Sequence, residues 1–267
     1  FMGIKRILSS IVLIPVLYFI VWKLPPEYFA GLAVVAAAIG QYEFYRMARN
    51  RGSKPHAILG IALGVLLVLT SYQPLVTGMG SAFYITMVLL LIMLTRLFAP
   101  RPVEGAVEDI SITFLGVFYV AMLFGFQVAI RMGADGKYWL VFMYLVIWAS
   151  DTGAYYAGTN LGRHKLYPKI SPHKSVEGLI GGVLAAMAAA HLCRVWFLPV
   201  LTVKEATLLG FILVLAGTLG DFVESLLKRS AGVKDSGTII PGHGGMLDRM
   251  DSMLFAAPVL YYYLGMR

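Results

Sequence analysis

Charged residues are scarce. Asp, Glu, Lys and Arg make up 13% of the 267 residues, whereas 59% are hydrophobic; a soluble globular domain carries about 25% charge. With a mean hydropathy of +0.77, the chain would expose large apolar patches in water, which excludes a soluble enzyme as well as a disordered chain. Cysteine is nearly absent. Cys193 stands alone in an apolar stretch, so there is no disulfide framework and no cysteine metal site, and it reads as a small buried hydrophobe. No Walker A run and no G-x-G-x-x-G fingerprint occurs, so no soluble nucleotide-binding domain is expected. Internal repeats, low-complexity tracts and long soluble linkers are also missing, as is the ten-residue alternation of an outer-membrane barrel.

What is present is a series of apolar runs near 20 residues, the length that spans a bilayer as a helix. They predict an all-α fold, a polytopic membrane helical bundle. Nine transmembrane helices are expected at about 4–22, 28–48, 57–72, 81–98, 110–130, 138–160, 176–197, 204–227 and 250–266. Phe1 before Met2 reads as a cloning remnant, and Lys5 and Arg6 precede an uncleaved first span. With the N-terminus inside, inner segments hold sixteen of the 22 Lys and Arg residues. That puts the N-terminus in the cytoplasm and the C-terminus outside. Trp22, Trp139, Trp196 and the run Tyr261-Tyr262-Tyr263 then fall at outer span ends, as interfacial aromatics do. The net charge of +8 belongs to this asymmetry and to anionic membrane lipids, not to nucleic acid.

Two regions are expected. Residues 1–130, helices one to five, serve packing, dimer contacts or lipid access and are nearly free of buried acids; residues 131–267, helices six to nine with their cytoplasmic loops, carry the chemistry. Gly178, Gly182, Ala186 and Ala190 recur every four residues in span seven, a stripe for close helix packing that is compatible with a homodimer.

Asp151, Asp221, Glu224, Asp248 and Asp251 lie in or beside spans six, eight and nine. A charge at a helix centre costs about 2.5–3.5 kcal/mol on insertion, so such acids usually face a cavity and mark function. Asp221, Glu224, Ser225 and Lys228 share one helix face at i, i+3, i+4, i+7. Glu224 is equally open to an i,i+4 ion pair with Lys228, and Asp248 and Asp251 to a plain helix-dipole role. Carboxylate oxygens suit Mg²⁺ or Mn²⁺ completed by substrate phosphates. Around the acids lie basic loops, with Arg163, Lys165, Lys169 and Lys174 in one and Lys228, Arg229, Lys234 and Arg249 in the other. Glycines 237, 242, 244 and 245, and Ser175 at the start of span seven, offer backbone N–H groups to anions. Together these features point to phosphoryl or nucleotidyl transfer to a lipid at the inner leaflet. Intramembrane acids alone leave open an ion- or proton-coupled transporter.

The run from Ser225 to Asp251, SLLKRSAGVKDSGTIIPGHGGMLDRMD, resembles the hallmark of the phosphatidate cytidylyltransferases, or CDP-diacylglycerol synthases. Its Lys-Arg, Lys-Asp, Pro-x-His-Gly-Gly and Asp-Arg-x-Asp groups match in order. Asp151, the Ser171–Ser175 run with Glu177-Gly178, and Glu43 are similar to weaker features of that family. The resemblance implies CTP and phosphatidate as substrates, CDP-diacylglycerol and pyrophosphate as products, and Mg²⁺ as cofactor, with room for a second cation. The enzyme is then expected in the inner membrane with its active site facing the cytoplasm. On this reading Asp221 and Asp248 hold the metal, with Asp251 and Glu224 as further ligands. Lys169, Lys174, Lys228, Arg229, Lys234 and Arg249 hold phosphates, and Ser175, Asp235, His243, Gly244 and Gly245 contact substrate. Asp151 orients a cation or a lysine.

Overall fold

The computed structural model describes residues 11, 14–73, 81–239 and 244–267. Lys5, Arg6, most of the first expected span and His243 lie outside the described residues. Residues 14–22 are helical and are designated α1. They are followed by α2 (Pro26–Arg49), α3 (Ala57–Tyr72), α4 (Ser81–Leu97) and α5 (Ala106–Met132). Then come α6 (Gly136–Leu161), strands β1 (Lys165–Tyr167) and β2 (Ser171–Ser175), α7 (Val176–Trp196), α8 (Val203–Ser230) and α9 (Leu247–Met266). Among the described residues, three helices, α5, α7 and α8, are long and apolar enough to cross a membrane, and residues 57–72 and 82–97 form shorter apolar helices. The protein is a helical membrane protein.

The helix ends have local causes. Pro26 opens α2, where a missing N–H costs nothing, and Arg46 and Arg49 complement the dipole at its end. In α8, Thr202 and Glu205 form a reciprocal capping box, Thr202 N donating to Glu205 Oε2 at 2.7 Å and Glu205 N to Thr202 Oγ1 at 3.2 Å. Within α5, residues Gly116–Met122 widen into π-helical turns, which no proline or polar residue in that apolar stretch foretells. The β1–β2 hairpin is an addition to the all-α expectation. Its antiparallel pairing sets Lys165 opposite Ser175 and Tyr167 opposite Ser171.

The described chain divides into two units. Unit one comprises residues 1–132 and 230–249. In it, Tyr45 of α2 is fully buried and wedges against α3 and α5, where Gly60 and Gly116 leave room for its ring. Its hydroxyl donates to the Thr113 carbonyl at 2.8 Å, and Gln41 Nε2 donates to the Gly60 carbonyl at 2.9 Å. Asp109 is buried, held by Arg96 Nε at 3.2 Å and by the Lys54 amide at 2.7 Å. Glu43 is buried as well, at 0% exposure. The expectation that the first five helices are nearly free of buried acids is therefore corrected. Both acids escape the insertion penalty because partners from other segments of the chain satisfy them.

Unit two comprises residues 133–229 and 250–267. Here α6 and α7 meet through small residues: Gly153 faces Gly181 and Ala185, Gly158 faces Gly178, and Gly182 lies against Ser150. The stripe on α7 is thus used for packing inside one chain and lends no support to a homodimer. Cys193 is buried, as a small apolar side chain should be. Trp196 is 74% exposed, but Trp139 is only 4% exposed and sits beneath the Arg267 guanidinium, 5.5 Å from its ring centre. It belongs to the core, not to an interfacial belt.

Candidate active site

In unit two, three helices send aspartates into one neighbourhood. The hairpin is built first. Glu177, in the first turn of α7, accepts hydrogen bonds from the amides of Arg163 at 3.1 Å and His164 at 3.2 Å, closing the loop on itself. Ser175 Oγ accepts from the Gly178 amide at 3.1 Å and caps α7, so this buried hydroxyl is committed to the helix start. β2 then delivers Lys174 to α8. Its ammonium lies 2.6 Å from Asp221 Oδ2 and 4.5 Å above the Phe222 ring. Tyr167 meets the same ring edge-on at 6.0 Å. Ser225 Oγ donates to Asp221 Oδ1 at 3.3 Å.

One turn further along α8, Glu224 is 1% exposed and paired with Lys228. From α9, Asp251 lies in the field of Asp221, of Asp151 on α6 and of Lys228. This close approach depends on Gly220, because a Cβ there would meet the Asp251 carbonyl oxygen at 2.5 Å. The neighbourhood holds four carboxylates, Asp151, Asp221, Glu224 and Asp251, against two ammonium groups, Lys174 and Lys228. Excess negative charge on oxygen donors fits a hard divalent cation. Among the described residues, no three acid, histidine or cysteine side chains gather closely enough to hold a metal ion by themselves. A metal here would need substrate oxygens to complete its shell.

Unit one holds Gly237, Gly244 and Gly245 in a second polar cluster. Asp248 Oδ2 accepts from the Ser236 amide at 2.9 Å, the Ser236 hydroxyl at 2.9 Å and the Gly245 amide at 2.8 Å. Glu43 Oε1 accepts from the Met246 amide at 3.0 Å, and its Oε2 from the Leu247 amide at 3.0 Å and the Ser236 hydroxyl at 3.1 Å. Arg46 Nη2 donates to the Ser236 carbonyl at 2.9 Å. Gly244 has φ +88°, with Asp248 Oδ2 only 2.7 Å from where a side chain would begin. That position requires glycine on both counts.

The structure thus brings Asp151, Asp221, Asp251, Glu224, Lys174 and Lys228 together in unit two, and Gly244, Gly245 and Asp248 together in unit one. Lys169 and Arg229 of unit two, and Lys234, Asp235 and Arg249 of unit one, are exposed. The sequence reading left Glu43 without a role and did not single out Ser236. The signal for Glu43 was there, a carboxylate inside an apolar helix with Arg46 one turn on.

A family model described as the Cytidylyltransferase family matches residues 4–266. A protein of Bacillus subtilis (strain 168) named phosphatidate cytidylyltransferase is 35% identical over 266 residues, covering 98% of this chain and 97% of that protein. One of the same name from Synechocystis sp. is 34% identical over 302 residues, covering 98% and 97%. A third, from Staphylococcus haemolyticus, is 37% identical over 208 residues, 78% of each chain.

Proposed function

The chain belongs to the cytidylyltransferase family and is a nucleotidyltransferase, and from that premise we propose that it transfers the cytidylyl group of CTP to phosphatidate, giving CDP-diacylglycerol and pyrophosphate. The observation that carries the site assignment is the acid-rich neighbourhood of unit two, where Lys174 grips Asp221 and Asp251 lies in the field of both Asp221 and Asp151. Family membership disfavours the transporter reading of the same acids.

The chemistry asks little of a general base. A phosphomonoester loses its second proton near pH 6, so the phosphatidate oxygen is already ionised when it attacks the α-phosphorus. The new P–O bond forms as the bond to the β-phosphate oxygen breaks, and pyrophosphate leaves with its electron pair. The main obstacle is repulsion between two polyanions. Lys174 and Lys228 reduce it by holding phosphate oxygens where charge accumulates. Lys174 already lies against Phe222, so moving from Asp221 to a phosphate leaves its stem in place. Asp221 and Asp251 would hold Mg²⁺, which supplies charge compensation on the triphosphate, whereas Asp248, named with Asp221 as a metal ligand from the sequence, spends its Oδ2 on Ser236 and Gly245. Asp151 and Glu224 keep the two lysines charged and oriented.

The proposal includes nine spans with the N-terminus in the cytoplasm, and an inner-membrane enzyme whose site opens to the cytoplasm. The sixteen-to-six bias of cations toward inner segments supports it. The test is direct. Protein purified in detergent and given labelled CTP, phosphatidate and Mg²⁺ should form chloroform-soluble label and pyrophosphate in equal amounts. Asp221→Asn and Asp251→Asn should remove turnover while helicity is retained. Absence of lipid-bound label with the unaltered protein would overturn the reaction, and full activity of both variants would overturn the site.

A further inference from the structure

The start of α8, far along that helix from Asp221, borders a groove that cytidylyl transfer does not use. Its volume is about 480 Å³, and it is lined by Met187 of α7 and by Val203, Lys204, Thr207, Leu208 and Phe211 of α8. The five α8 residues share one helix face at i, i+1, i+4, i+5 and i+8. Gly210 brings that helix close to α7, since a Cβ there would lie 3.0 Å from the Met187 backbone. The whole groove belongs to unit two.

The one hydroxyl in the lining is already spent. Thr207 Oγ1 donates to the Val203 carbonyl at 2.9 Å, so it can only accept from His191 Nε2 at 3.0 Å. The other lining side chains, Lys204 apart, are hydrocarbon or thioether. Lys204 is exposed, and among the described residues no acid pairs with it. Its neighbour Glu205 is engaged by the Thr202 amide at 2.7 Å, the Tyr263 hydroxyl at 2.8 Å and Arg267 Nε at 3.4 Å. The groove therefore offers an apolar wall with one uncompensated cation.

Depth identifies the occupant. Along α8, Lys204 and Lys228 stand about 36 Å apart at a rise of 1.5 Å per residue. A hydrocarbon core is about 30 Å thick, so the two lysines reach the two interfaces of a bilayer. A groove that starts at head-group depth and runs toward Phe211 meets lipid tails, which are as apolar as its lining. Left empty it would forfeit dispersion contacts, so a tail fills it. Tails do not select a lipid, but Lys204 does, by attracting a negative head group.

We propose that this groove binds an anionic diacyl phospholipid, one acyl chain lying against Met187, Leu208 and Phe211 and the phosphate resting on Lys204. Asp221 is about 26 Å further along α8. The bound lipid therefore sits in the leaflet opposite the reacting acids and is not the lipid that reacts. This site goes beyond cytidylyl transfer and does not depend on it.

The experiment is native mass spectrometry of the whole chain, purified in detergent, stripped of lipid and titrated with phosphatidylglycerol or phosphatidylcholine. The first phosphatidylglycerol should bind about fivefold more tightly than the first phosphatidylcholine, and Lys204→Gln should remove that preference. Fivefold corresponds to about 1 kcal/mol, the attraction of one surface lysine for anionic lipid. Leu208→Trp, which fills the groove, should weaken the first binding step for both lipids. Unchanged phosphatidylglycerol affinity in Lys204→Gln overturns the site. So does a Leu208→Trp protein that binds both lipids as before, or one that falls from dimer to monomer with lipid binding intact, which would make the groove a contact between copies. Should Leu208→Trp fail to fold, Lys204→Gln decides alone. Formation of labelled lipid by Lys204→Gln at saturating substrates should match the unaltered protein; its loss would place the groove in the substrate's own site and overturn the assignment.

Discussion

Gly220 offers a sharp perturbation of the acid neighbourhood without touching an acid. It is the residue of α8 just before Asp221, and a Cβ built on it lies 2.5 Å from the Asp251 carbonyl oxygen and 3.0 Å from Phe255 Cβ. Neither is the tip of a flexible side chain. To reach the 3.4 Å of an ordinary contact, the α9 backbone must retreat by about 0.9 Å. Overpacking of this kind costs about 1–3 kcal/mol, whereas replacing a mid-helix glycine by alanine returns about 1 kcal/mol of helix propensity. Gly220→Ala should therefore destabilise by only about 0–2 kcal/mol. Turnover should suffer far more, because a displacement near 1 Å at reacting groups can cost about a hundredfold in rate. The assay is the labelled-CTP reaction beside thermal melting of the same detergent-purified sample. Gly31→Ala is the control, a glycine in α2 with nothing within 4 Å of the added carbon, and it should keep full activity. If Gly220→Ala retains full turnover, the claim that the spacing of α8 and α9 sets the acid geometry is refuted.

Two further outcomes follow from unit one. Asp109→Asn should leave Arg96, whose side chain is 6% exposed, without its counter-charge, lowering stability by about 3–5 kcal/mol; an unchanged midpoint of thermal inactivation would show that the pair contributes nothing. His56 precedes α3, and burial, with the nearby Arg101 charge, holds its imidazole below its ordinary value of 6.5. The folded protein then binds fewer protons than the unfolded chain, so this contribution to stability is complete above pH 6.5 and is lost as pH falls from there through the lower value of the folded state. His56→Gln should flatten the acid side of the stability profile, and an unaltered profile would remove His56 as its source.

The helices were legible because their cause is local. Runs expected at 57–72 and 176–197 appear as Ala57–Tyr72 and Val176–Trp196, since a long apolar stretch with prolines at its ends has few other ways to satisfy its backbone. The small-residue stripe of α7 was legible as packing for the same reason. The β1–β2 hairpin was not. Its sequence, KLYPKISPHKS, has no apolar alternation, and what closes it is Glu177 reaching back to the amides of Arg163 and His164. Nor was the role of Glu43 legible, because all three of its donors lie in residues 236–247, and spacing along the chain carries no trace of such contacts.

Acids inside membrane helices mark function only after those with structural employment are set apart. Asp109 is held by Arg96 and the Lys54 amide, and Glu43 by two amides and a hydroxyl. Glu224 is taken up by Lys228 one turn along the same helix. Each has a partner whose loss would explain its retention on stability grounds alone. Asp251 differs because it lies in the field of both Asp221 and Asp151, an arrangement that repels even though Asp221 is paired with Lys174. A membrane protein could lower its energy there by replacing one of them with an apolar residue. The repulsion is useful only if positive charge enters during the reaction, and Lys174, resting on Asp221 within reach of Phe222, already marks where such charge is held. On this argument the functional weight falls on Asp221 and Asp251 more than on Glu224, although Asp221 and Glu224 stand one turn apart on the same helix and look alike in the sequence.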